Sequence, residues 1–218
     1  ADQNHVKVME GFMYRFHPQH ARVLDIIHSG AIGEIRSARA SFSFMMRPAR
    51  MYRLEESLEN GGGAMWDIGC YAIHSLRLFF QGLPQAVTCM AHHVSSGADI
   101  ASSGVLDFGD GRFAQFDFSF SRARRFEYEI IGTQGGIKCQ TVWQLPGDVP
   151  VISWWSEDGQ QHEQRLPASN HFELEVAHFS AAILNQQTVA LSLDDARENC
   201  QIINAALQSV REGKRISL

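Results

Sequence analysis

The sequence predicts an α+β fold: an open, mostly antiparallel β-sheet with helices packed on one face. Three observations carry this. Segments alternating with period two follow one another through the middle of the chain, helical spacing precedes and follows them, and the intervening turns are short and rich in Gly and Asp. At 218 residues, 44% hydrophobic and 20% charged, the chain has enough apolar material for one sizeable core.

Residues 1–12 read as the tail of another unit, because Val6-Lys-Val-Met-Glu-Gly alternates only briefly, as a last sheet strand would. Residues 13–218 then form the main domain. Pro18 suits the first turn of a helix whose apolar stripe is Val23, Leu24 and Ile27, and Ser29-Gly30 stops it. From Glu34 to Met46 the period is two, with Ala38, Ala40, Phe42, Phe44 and Met46 on one face. Residues 47–60 are polar and irregular. Gly61-Gly-Gly63 follows, and then an apolar run with helical spacing as far as Phe80 and Gly82.

Strands are predicted over 86–94, 102–108, 112–120, 126–132, 136–142 and 149–155. Short loops between consecutive strands imply antiparallel neighbours. Two helices close the chain. Asn170 caps the first, with Phe172, Val176, Phe179 and Ile183 inward. Ser192 with Asp195 caps the second, with Ile202, Ile203, Ala206 and Val210 inward, and Gly213 ends it. The sheet's other face is left uncovered. Phe113, Phe116, Phe118, Phe120 and Phe126 crowd one hairpin and are candidates for that open face, although half of them must be core on the helix side.

A net charge of −5 without a basic cluster argues against a nucleic-acid partner, Arg122-Ala-Arg-Arg125 being too short for a phosphate patch. No run approaches the ~20 apolar residues of a membrane helix. Cys70, Cys89, Cys139 and Cys200 are scattered, as for reduced thiols in a cytoplasmic setting. His17-Pro-Gln-His20 and His92-His93 lack a third ligand at metal-site spacing, so no metal is expected.

The chemistry is concentrated at 61–74, Gly-Gly-Gly-Ala-Met-Trp-Asp-Ile-Gly-Cys-Tyr-Ala-Ile-His. Asp67 and Tyr71 stand four apart, on one face of a helix. A carboxylate beside a phenol can relay a proton, provided that a nearby cation lowers the tyrosine pKa from its unaided ~10. Spacing alone fits equally a buried Asp accepting a hydrogen bond from Tyr in an ordinary core, and that is the plainer reading.

The same stretch resembles the Gly-Gly-Gly-(Ala)-x-x-Asp-x-Gly-x-Tyr segment of the glucose-fructose oxidoreductase / inositol dehydrogenase family. Glu10-Gly-Phe-Met-Tyr-Arg-Phe-His-Pro-Gln19 is similar to that family's strand-to-helix passage, Ile32-Gly-Glu-Ile35 to its strand opening, and Gly213-Lys-Arg-Ile-Ser-Leu218 to its carboxy-terminal end. The four matches run in family order along the whole chain. Tyrosine at position 71 resembles the aldose dehydrogenase and dihydrodiol dehydrogenase branch. The family's Gly-x-Gly-x-x-Gly/Ala turn and Glu-Lys-Pro are not seen in usable form. Gly109-Asp-Gly-Arg-Phe-Ala114 has the glycine spacing, but strand patterns flank it on both sides and it reads as a hairpin turn. The lysines are only Lys7, Lys138 and Lys214, and the chain opens on Ala1. The expectation is therefore the carboxy-terminal part of a longer enzyme, with 1–12 the remnant of the last strand region of a nucleotide-binding domain.

The resemblance implies an NAD(P)-dependent oxidoreductase acting on the CH–OH group of a sugar, cyclitol or diol. It implies Tyr71 as proton acceptor, with Asp67 orienting the substrate hydroxyl or the family's lysine. Tyr14, Arg15 and His74 are candidate substrate contacts, although a packing role for His74 and an interdomain ion pair for Arg15 compete. NAD or NADP would bind mainly in the amino-terminal domain, so that these 218 residues alone are expected to be inactive. The open sheet face would pack on a second subunit. The alternatives are a non-catalytic nucleotide-sensing regulator and a plain dimerisation module of the same fold.

Overall fold

A computed structural model describes residues 1–143 and 146–218. One nine-stranded sheet organises them, in the order β8-β7-β6-β5-β1-β4-β3-β2-β9. Its strands are β1 (Ile35–Met45), β2 (Ala86–His93), β3 (Asp99–Asp107), β4 (Phe113–Ser119), β5 (Ser121–Gly132), β6 (Gly135–Cys139), β7 (Val151–Ser156), β8 (Gln161–Arg165) and β9 (Ile216–Ser217). The helices are α1 (Pro18–His28), α2 (Tyr52–Glu55), α3 (Cys70–Phe80), α4 (His171–Leu184) and α5 (Leu193–Glu212). The class is α+β, as the sequence predicts. No helix among the described residues is long and apolar enough to cross a membrane.

The sheet is mixed at one place. β1 lies between β4 and β5, parallel to β4 and antiparallel to β5, so the consecutive strands β4 and β5 do not pair with each other. Phe120 alone separates them in sequence, and the chain there passes from one side of β1 to the other. The β3–β4 hairpin is the expected one, turning through Gly109, Asp110 and Gly111, all at positive φ. Residues 6–10 join no strand. The polar Gln-His-Glu-Gln-Arg of β8 carries no apolar alternation and was not predicted, nor was the two-residue β9.

α1, α3 and α5 cover one face. In α1 the buried residues are Gln19, His20, Val23 and Ile26, whereas Leu24 and Ile27 are only half-buried. α5 follows its sequence pattern: Ser192 caps it, Ile202, Ile203 and Ala206 are buried, and Gly213 closes it with φ +63°. α4 does not. Asn170 caps it as expected, but Phe172, Val176 and Ile183 are exposed and the buried residues are His171 and Ala182. The helix packs on the turn Met13–Phe16 and not on the sheet, so its small inner side is covered and its large apolar residues are not.

The phenylalanine-rich hairpin divides between core and open face, with Phe113 exposed. Phe116, Phe118 and Phe120 are buried, because the register of β4 turns Ala114, Phe116 and Phe118 toward the helices. The open face instead shows a charged lattice: Asp117 takes Arg122 at 3.1 Å, Arg125 and the Ser41 hydroxyl at 2.6 Å, while Arg39 meets Glu129 at 3.7 Å. Met90, Val105 and Phe113 are exposed apolar residues in these strands.

α3 is preceded by a wide turn, Met65–Gly69, in which the Cys70 amide bonds back to the Met65 carbonyl five residues earlier. It is seated by two local necessities. Gly63, at φ +94°, lies against the buried Asp99 carboxylate, which accepts from the Met65 amide and the Ser102 hydroxyl. A Cβ at Gly69 would come within 2.5 Å of the Phe118 ring. Gly69→Ala should therefore cost about 1–3 kcal/mol, as overpacking of a filled core does. Chemical denaturation of the variant checks this, and an unchanged midpoint would mean that the ring moves aside freely.

Candidate active site

The wide turn decides where Asp67 points. A regular helix would align Asp67 with Tyr71, but Asp67 lies inside the wide turn while Tyr71 lies on α3, and the two side chains take different partners. Asp67 receives Arg50 at 3.1 Å and Arg53 at 3.1 Å, and its side chain is only 9% exposed. Both arginines come from 47–55, the stretch that reads in sequence as an irregular polar approach. Segment 47–63 is thereby folded back over the turn, with the Gly63 amide donating to the Arg53 carbonyl at 2.8 Å. Two guanidiniums therefore hold the one Asp67 carboxylate in place.

Tyr71 is partly buried among aromatic rings. Phe12 meets it edge-on at 5.0 Å, Tyr14 lies at 6.0 Å and Phe42 at 6.0 Å. Trp143 stacks on Phe42 at 4.6 Å and extends this wall. Among the described residues the Tyr71 hydroxyl donates only to the Met13 sulfur, at 3.6 Å. Burial first, then the negative charges of Asp67, Glu175 and Glu10, push its phenol above the ordinary value. A tyrosine that transfers a proton would need the opposite, which a nearby cation provides.

Tyr14 and His74 lie behind Tyr71. Both are buried and bonded to each other, the Tyr14 oxygen 2.5 Å from His74 Nδ1, and His74 Nε2 reaches Asp195 at 2.9 Å. Asp195 is also gripped by Arg77, which pairs at 2.5 Å with Glu198. Sequence reading finds Asp195 only as a capping neighbour of Ser192, since 121 positions separate it from His74. Arg15 lines a cleft of about 330 Å³ with His74, Arg77, Leu191, Asp195 and Glu198, a lining that includes neither Asp67 nor Tyr71. The structure thus brings Tyr71, Tyr14 and His74 together, with Arg15 sharing a cleft with His74 and Asp67 held by its own pair of arginines.

The described residues form no group of three His, Cys, Asp or Glu able to hold a metal ion. Gly109-Asp-Gly111, whose spacing mimics a dinucleotide-binding turn, is the β3–β4 hairpin.

The GFO/IDH/MocA C-terminal domain matches residues 20–138, more than half of the chain. The chain belongs to the GFO/IDH/MocA family. Among curated relatives, D-xylose 1-dehydrogenase (NADP(+)) 2 of Haloferax volcanii is 27% identical over 98% of this chain and 65% of its own length. The dTDP-3,4-didehydro-2,6-dideoxy-alpha-D-glucose 3-reductase of Actinomadura kijaniata is 28% identical over 94% of this chain and 61% of its own length. KijD10, a 3-ketoreductase from the same organism solved with NADP and TDP-benzene, superposes with a TM-score of 0.87 at 28% identity, over 96% of this chain and 64% of KijD10. The GFO/IDH/MocA chain described here therefore spans somewhat less than two thirds of these relatives.

Near the site the fold holds several histidines neutral. Burial, then the neighbouring His171, hold His17 down at about 4 from an ordinary 6.5, and burial also lowers His20, His171 and His74. The unfolded chain takes up these protons near 6.5 and the native state does not, so stability is complete above that pH and lost below it. Thermal melts should be flat above about pH 7 and fall steadily from about 6.5 toward 4. A midpoint independent of pH across that window would contradict this account.

Proposed function

We propose that this chain is the substrate-binding and dimerisation part of an NAD(P)-dependent oxidoreductase acting on the CH–OH group of a sugar, cyclitol or diol. The observation that carries the reading is Tyr71: a phenol at the edge of an aromatic wall, four residues beyond a carboxylate held by two arginines. Membership of the GFO/IDH/MocA family and the NADP bound to KijD10 support it. The nicotinamide supplies hydride chemistry and is carried outside the residues described here, which on their own turn over nothing. NAD versus NADP stays open in this reading.

Within it, Tyr71 exchanges the proton of the substrate hydroxyl. Asp67, held still, orients that hydroxyl or the cation that lowers the phenol, and the rings of Phe12, Phe42 and Trp143 exclude water. Arg15, which forms no ion pair among the described residues, is the candidate for holding a ligand oxygen in its cleft. In the full-length polypeptide, Tyr71→Phe should leave nucleotide affinity nearly intact and lower turnover by ~10² or more. The oxidative rate of the parent should rise with pH, the phenolate being the active form. Near-full activity with an unchanged pH profile would make Tyr71 a structural hydroxyl.

The open sheet face is the proposed contact with a second copy. Its mixed charges (Arg39, Arg122 and Arg125 with Asp117 and Glu129) can complement themselves across a twofold axis around Met90, Val105 and Phe113. Sedimentation should find a dimer at micromolar concentration that weakens with added salt, because rim charges are screened. A monomer under those conditions would remove the proposal.

A further inference from the structure

We propose that His74, held between Tyr14 and Asp195, is a positioning residue for the Tyr71 phenol. The inference rests on the reading of Tyr71 as the proton-transfer group and adds the machinery that fixes it.

Phe12, Met13 and Tyr14 form the bed of the Tyr71 side chain, and each of them touches it: Phe12 edge-on at 5.0 Å, Met13 through its sulfur at 3.6 Å, Tyr14 at 6.0 Å. His74 holds both ends of that bed. Its ring stacks on Phe12 at 4.3 Å with an interplanar angle of 24°, and its Nδ1 takes the Tyr14 hydroxyl at 2.5 Å. The position of the bed is thus decided three residues along α3 from Tyr71 itself.

The direction of the hydrogen bonds follows from charge. Burial works to raise the Asp195 carboxyl, but the hydrogen bond from His74 and the Arg77 guanidinium outweigh it and bring it to about 2. An ionised carboxylate only accepts, so His74 Nε2 carries the proton and donates. Burial keeps the imidazole neutral, so Nδ1 is bare and accepts, and Tyr14 must donate. Every donor points toward Asp195, which leaves one arrangement of the network and one tautomer of His74. Ser192 and Arg77 in turn fix Asp195 at the start of α5. Tyr14 is fully buried, so its hydroxyl does not meet a substrate and acts through the Tyr71 ring.

Tyr14→Phe and His74→Gln in the full-length polypeptide test this. The first keeps the ring and removes the donor, and the second keeps a donor toward Asp195 and loses the acceptor. Both should lower kcat by roughly 10- to 100-fold with KM little changed, the signature of a misplaced reacting group. An independent readout needs no substrate. The chain has four tyrosines, so the ring-carbon NMR signal of Tyr71 can be assigned by its loss in Tyr71→Phe. That signal should move in both variants. Unchanged kcat and an unmoved Tyr71 signal in either folded variant would reduce His74 to a packing residue. Full activity of Tyr71→Phe would instead refute the catalytic reading, and the NMR shifts would still decide whether His74 positions the ring.

Discussion

The close approach of Gly69 to the Phe118 ring is the constraint on which the rest of the site depends. With no side chain at 69, the turn before α3 sits directly on β4, the strand that lies parallel beside β1. The turn is widened to five residues there, and Asp67 within it lies in reach of Arg50 and Arg53. Asp99, projecting from β3, meets the first amide of the turn and completes its seating. A motif that looks like a sequence of catalytic residues is therefore first a packing solution. Its glycines are where the backbone must come close to a ring or a carboxylate, and its polar residues are what that approach aims.

Two charged networks result, on different sides of the same helix start. In one, Asp67 is compensated by two arginines. In the other, Asp195 is compensated by Arg77 and the His74 hydrogen bond. A buried carboxylate without such partners would cost several kcal/mol, and with them it is close to neutral for stability while adding a fixed direction. Fixed direction is what each network provides: the first holds a charge near Tyr71, the second holds the ring.

Much of this was legible in the sequence, and what was not has a common physical cause. The helix that carries Tyr71, the β3–β4 turn and both caps of α5 are local features, and each is found where its neighbours in sequence place it, whereas Asp67 falls in the widened turn before that helix. The parallel pairing of β1 with β4 is not local, since nothing in either strand's alternation names its partner. The Tyr14–His74–Asp195 network joins residues separated by 60 and 121 positions, and none of the three carries a spacing signal for the others. α4 and α5 make the contrast sharpest. Both have apolar stripes, but α5 lies on β2 and buries its stripe, whereas α4 rests on the short turn Met13–Phe16, which is too small to cover more than His171 and Ala182. Periodicity tells which residues share a face and not whether the fold supplies something to cover it.

The raised phenol of Tyr71 fits its proposed role once these parts are placed together. A tyrosine ringed by Phe12, Tyr14 and Phe42 and facing three carboxylates holds its proton firmly. The arginines that could oppose those charges are already spent on Asp67, so the local field becomes favourable for proton loss only when a further cation arrives. Reactivity would then be coupled to assembly of the complete site: the proton stays on Tyr71 until the cation and the substrate hydroxyl are both in place. Orientation of the ring, by contrast, is set in advance by Phe12, Tyr14 and His74 and needs nothing from outside. In the proposed reaction the chain would thus set geometry in advance and leave the charge to be supplied.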